Sequence, residues 1–312
     1  MTVRGWLLVG YVLCAVAQLV GLATFSPLLP GADTLAWALL AAYVGTGAGI
    51  RRPAVRLLLA GLLVLVLDAA WNWATAPQPG VGLQFLAPAP DAADAATEVG
   101  AFVDGLGDSW QSLLALALLI AAVVVHTRAA APSGATPDTG AATATAAKSR
   151  RWPAPAILIA GVGAALVIGY VAVEVGARIR PVDTDRPAQL VAVALPGLLA
   201  ALAAVVAAGH ALAGRWPARL TARLSLGGGL VLLAAAALTM SAAAMDTWWF
   251  DHRVYDVRSG AVYRNYLVAL PGTGIPFPAW ALWQFAGAAL IALGCVAGRR
   301  TPAAPATATG TR

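Results

Sequence analysis

Asp68 and Asp246 are the two carboxylic acids whose setting could do chemistry. Each closes a long apolar run and is followed at once by aromatics, in Asp68-Ala-Ala-Trp71-Asn72-Trp73 and Asp246-Thr-Trp248-Trp249-Phe250. A carboxyl group held in hydrocarbon must be protonated, paired or reached by water, because burying its charge costs several kcal/mol. Protonated, it can act as a general acid near neutral pH. The aromatic faces of Trp71, Trp248, Trp249, Tyr266 and Trp283 can hold an apolar molecule or steady a cation. They equally fit the aromatic belt found at any membrane surface.

Depth separates the two acids. At about 1.5 Å per residue, Asp68 lies about 18 Å beyond Arg56, inside a hydrocarbon core of about 30 Å. Asp246 lies about 34 Å beyond Arg223, already at the interface, and Glu174 is at a similar boundary. Gln18 and Gln284 fall about 21–22 Å from Arg4 and Arg299, near the level of Asp68. Gln111 and Tyr170 come closer to the outer surface. With Asn72, these groups either line one outward-facing polar cavity or form separate interhelical hydrogen bonds.

These depths presuppose a membrane. Hydrophobic residues make up 60% of the chain and charged residues 11%, with a mean hydropathy of +0.77. A soluble domain carries about 25% charged residues. The fold class is therefore all-α, a polytopic membrane helical bundle. Eight runs have the length and polarity of transmembrane helices: 5–25, 34–50, 54–75, 109–127, 154–174, 187–211, 222–245 and 278–298. The second is short. The first is longer than a signal-peptide core and lacks a cleavage site, so it is expected to be retained.

Basic residues orient the bundle. With the N-terminus inside, Arg4, Arg51, Arg52, Arg56, Arg128, Lys148, Arg150, Arg151, Arg215, Arg219, Arg223, Arg299, Arg300 and Arg312 are cytoplasmic, 14 of the 20. The first two outside loops hold none, as the positive-inside rule requires. Asp138 is the single acid placed inside. Both termini are expected in the cytoplasm of a cell-membrane protein. The net charge of +6 is thus a topology signal, not a nucleic-acid surface.

Residues 1–128 and 153–300 form two four-helix halves. Residues 129–152 read as an Ala/Thr/Pro-rich flexible linker, and 301–312 as a disordered tail. The halves echo each other. Arg51-Arg-Pro-Ala54 matches Arg215-Trp-Pro-Ala218, the two aspartate–tryptophan stretches match, and Trp110-Gln111 matches Trp283-Gln284. The same order in the same orientation suggests a parallel repeat about an axis along the membrane normal. Gly45/Gly49, Gly294/Gly298 and Gly227 to Gly229 suit close helix packing. Residues 76–108, with Asp91, Asp94, Glu98, Asp104 and Asp108 and no base, read as a solvated acidic loop. Arg178, Arg180, Asp183, Asp185 and Arg186 read as solvated charge pairs.

Absences narrow the chemistry. His126 and His210 fall near the inner boundary on separate spans, and His252 lies outside them. Cys14 and Cys295 sit within apolar runs as small hydrophobes. The chain has no HExxH, CxxC, P-loop or GxSxG pattern. No cofactor and no metal site is expected. No basic residue shares the depth of Asp68.

A four-plus-four bundle of this length resembles haem A synthase in layout, but the histidines that hold its haem have no counterparts here. The chain also resembles actinobacterial integral-membrane cyclases, the avermectin spirocyclase-like and carotenoid-cyclase-like proteins. The likeness rests on Asp246, the aromatic stretch Trp248 to Tyr266, and Gly274-Ile-Pro-Phe-Pro-Ala-Trp280. Asp256-Val-Arg-Ser-Gly260 is similar to a Gly-Val-Arg-Thr-Gly stretch of the carotenoid-type relatives. The acid those families carry on the next helix is replaced by Ala279, Trp280 and Gln284. This resemblance implies a membrane-embedded enzyme acting on an apolar isoprenoid, polyketide or lipid at the outer leaflet, with Asp68 or Asp246 as acid. A permease for a small or lipophilic compound and a non-catalytic scaffold are the alternatives. The expected partners are the lipid bilayer and an apolar small-molecule ligand, with no nucleic acid. The oligomeric state is left open.

Overall fold

The computed structural model describes residues 2–24, 31–48, 50–75, 97–107, 109–129, 154–179, 187–213, 219–255 and 279–297. All elements among them are α-helices: α1 Val3–Thr24, α2 Ala32–Ala48, α3 Pro53–Thr75, α4 Glu98–Gly107, α5 Trp110–Ala129, α6 Ala154–Ile179, α7 Pro187–Ala213, α8 Leu220–Tyr255 and α9 Ala279–Ala297. Six of them, α1, α3, α5, α6, α7 and α8, are long and apolar enough to cross a membrane. The chain is thus a helical bundle of membrane type. Helix α2 has 17 residues, and the apolar part of α9 is the shorter stretch Leu282–Val296.

Local sequence sets the helix starts. Pro53 and Pro187 open α3 and α7, where a missing N–H costs nothing. Gly31, with φ of 74°, precedes α2, a backbone state glycine adopts freely. Thr97 caps α4 by accepting the Gly100 N–H at 3.0 Å.

Consecutive long helices pack as neighbours: α1 on α2, α2 on α3, α3 on α5, then α6 on α7, α7 on α8 and α8 on α9. Between these two series, α5 meets α7 and α9 meets α2. One end of the bundle gathers the starts of α1, α6 and α8 with the ends of α2, α7 and α9. There a Cβ at Gly47 would touch Val296 and Arg4, one at Gly294 would meet the Ala222 carbonyl, and one at Gly209 the Ala156 carbonyl. Arg4 donates to the Thr46 carbonyl in the last turn of α2, a cation on a helix C-terminus. Midway, α8 and α9 cross at Gly229 and Gly287, each lying against the other's carbonyl. Any side chain at either position would force the helices apart. Gly45, by contrast, faces open space.

Two readings of the sequence change. The acidic stretch is not all loop, since Glu98–Gly107 is helical and packs on α7 and α8. Ala101 is fully buried there, while Glu98 and Asp104 stay exposed. The helix expected over 222–245 does not end there either. Helix α8 continues to Tyr255 over 36 residues, about 54 Å. The main core spans the long helices. A second cluster joins Ala101 to Val171, Val175, Leu190, Val193, Ala194, Met245 and Trp248. Residues 130–153, which take in all of the linker 129–152 but Ala129, the tail, most of the acidic stretch, and the Asp256 to Pro278 segment that carries most of the cyclase likeness lie outside the described residues.

Candidate functional site

Asp68 stands in the fifth turn of α3, on the face toward α5, and is half-buried. Asn72, one turn on, donates to its Oδ1 at 3.2 Å. Ser112, in the first turn of α5, donates to its Oδ2 at 3.0 Å. Both carboxyl oxygens therefore accept from neutral donors, and the bond to Ser112 ties two helices together. Asp33, in the first turn of α2, lies within Coulombic range of Asp68. Its own Oδ1 accepts the Thr34 N–H at 2.8 Å. Ser112 and Asp33 escaped the sequence reading. Both stand at helix starts on the end of the bundle where α3 finishes, which is the signal that could have found them.

The other candidates are distributed. Trp71 is exposed beside Asp68, three residues on, and Gln111 is half-buried beside Ser112. Gln18 is half-buried on α1 and Tyr170 exposed on α6. Asp246 is exposed on α8, and Trp248 is buried in the second cluster. On α9, Trp283 is exposed and Gln284 buried. Trp249 lies within α8, but its side chain and the whole of Tyr266 are outside the described residues. Hydrogen bonds join Asp68 to Asn72 and to Ser112.

Next to Gln284 is an aromatic cluster that no spacing announced. Trp37 of α2 stacks on Phe285 of α9 with ring centres 4.2 Å apart and planes 9° from parallel. The Tyr11 hydroxyl of α1 donates to the Phe285 carbonyl at 2.7 Å. This three-helix contact is buried and fixes α9 against α1 and α2.

A separate cavity of about 320 Å³ opens between α5 and α7, lined by alanine, valine and isoleucine. It contains none of the candidate residues. Among the described residues no three metal-ligating side chains cluster. The chain matches no known family model, no curated protein and no solved structure.

Proposed function

We propose that this is a multi-pass cell-membrane protein of eight spans in two four-helix halves, both termini cytoplasmic. It converts an apolar isoprenoid, polyketide or lipid drawn from the outer leaflet, with Asp68 as proton donor. The carrying observation is the half-buried Asp68 carboxyl, bonded to Ser112 and Asn72. Such a group can give a proton and take one back. One proton delivered and one returned leave the composition of the substrate unchanged, so isomerisation or ring closure needs no cofactor. Trp71, three residues along the same helix, offers an indole face toward the lipid. Asp246 is the second candidate acid.

The packing supports the two-half reading. Each half packs its spans in chain order, and the contacts between halves, α5 with α7 and α9 with α2, exchange when the halves are exchanged. A permease is the competing reading. The cavity between α5 and α7, one helix from each half, is the observation that favours it.

The test compares membrane extracts from cells making the protein or its Asp68→Asn variant, by mass spectrometry and chromatography. A product present with the parent should fall by about 10²–10⁴-fold in the variant, with folded protein undiminished. Indistinguishable extracts would remove the enzyme reading.

A further inference from the structure

The α5–α7 cavity exists because the facing residues are small. Ala117 and Ala121 on α5 look across to Ala200 and Ala203 on α7, where leucines would close the gap. Water does not fill a cavity with so apolar a lining. In a membrane, hydrocarbon does. From Ala117 to Val125 the groove runs about 12 Å along α5, close to the ~15 Å of one leaflet's hydrocarbon.

Its end is charged. The groove face of α5 continues from Ala121 through Val124, and four residues later that face carries Arg128, exposed in the last turn. An apolar slot one leaflet long, ending in a guanidinium group at the membrane surface, has the form of a phospholipid. Basic pockets between membrane helices recognise anionic headgroups, and arginine matches phosphate with two parallel hydrogen bonds.

We infer that this groove is a binding site for an anionic phospholipid, with one acyl chain between α5 and α7 and its phosphate on Arg128. The site is separate from Asp68. It depends on the proposed topology only for which leaflet supplies the lipid.

Delipidated protein in detergent would be titrated with phosphatidylglycerol and with phosphatidylcholine of the same chains, and adducts counted by native mass spectrometry. The parent should prefer phosphatidylglycerol by about fivefold, the order expected for one arginine near the surface. Arg128→Gln should abolish the preference while leaving the binding common to both lipids. Ala121→Phe, which fills the groove, should remove tight binding of both, with Ala203→Phe as the same test from the opposite wall should Ala121→Phe unfold. Inorganic phosphate alone should give no adduct, and Asp68→Asn should bind lipid as the parent does. Equal affinity of the parent for the two lipids, a preference surviving in Arg128→Gln, or full binding in a folded groove-filled variant would each overturn the site. Phosphate competing as well as the lipid would reduce it to an anion site without an acyl groove.

Discussion

At the scale of the residue, Asp68 separates two roles that one substitution can tell apart. Asp68→Asn keeps an oxygen for Ser112 to donate to but has no exchangeable acid. Asp68→Leu removes both bonds: the interhelical one to Ser112, of a kind that averages about 0.6 kcal/mol in membranes, and the one to Asn72 a turn along the same helix, worth about 0.2–0.5 kcal/mol. We expect the leucine variant to lose about 1 kcal/mol of unfolding free energy in detergent, and Ser112→Ala about half as much. The asparagine variant should melt with the parent yet lose its product. An asparagine variant that keeps its product would leave Asp68 as interhelical glue. Asp68 was legible because an acid at the end of an apolar run stands out against its neighbours. Ser112 was not, because a serine in a helix commonly spends its hydroxyl on its own backbone. Nothing in the sequence says that this one reaches across to another helix.

At the scale of the element, the long apolar helices were readable from length and composition alone, and the two misread element bounds were both at the end of the bundle where α3 finishes. Helix α4 was hidden because the face it buries is Ala101 and Gly105, one turn apart and almost without side chain. Its visible signals were the exposed acids Glu98 and Asp104. That small face lets α4 approach α7 so closely that a Cβ on Gly105 would fall on the Val193 backbone, whereas Gly107 faces open space. Gly105→Val should therefore undock α4, at about 1–3 kcal/mol, and raise hydrogen exchange across residues 98–107. Gly107→Val should leave exchange unchanged. Equal effects at the two positions would mean that α4 is held by something other than this contact. The extension of α8 had a plainer cause. Between Leu230 and Ser259 the chain has no glycine or proline, so nothing stops the helix at the membrane boundary. Met245 and Trp248, three residues apart, then bury their side chains against α4, α6 and α7.

At the scale of the whole molecule, the question is whether the two shorter helices, α2 and α9, cross as the six longer ones can. The packing at the shared end bears on both. Arg4 opens α1, and it bonds the last turn of α2, so α2 runs back to the level from which α1 starts. Val296, near the end of α9, lies against Gly47 at that same level. The residues at this end include Arg4, Arg51, Arg52, Arg56, Arg128, Arg219 and Arg223, while Asp33, Asp68, Glu98, Asp104 and Asp246 stand toward the other. Arg178, in the last turn of α6, is the exception; the segregation of the others is what a positive-inside bundle requires. A reporter active only in the cytoplasm should then work when fused after Arg128, Arg219 or Arg300 and stay silent after Asp91 or Arg258. The fusions fail in distinguishable ways. If α2 lay along the surface, three crossings instead of four would precede Arg128, and that fusion would go silent. If α9 alone failed to cross, the fusion after Arg128 would work and the one after Arg300 would not. Activity after Asp91 would place the end that holds Asp68 in the cytoplasm, and the substrate would then have to come from the inner leaflet.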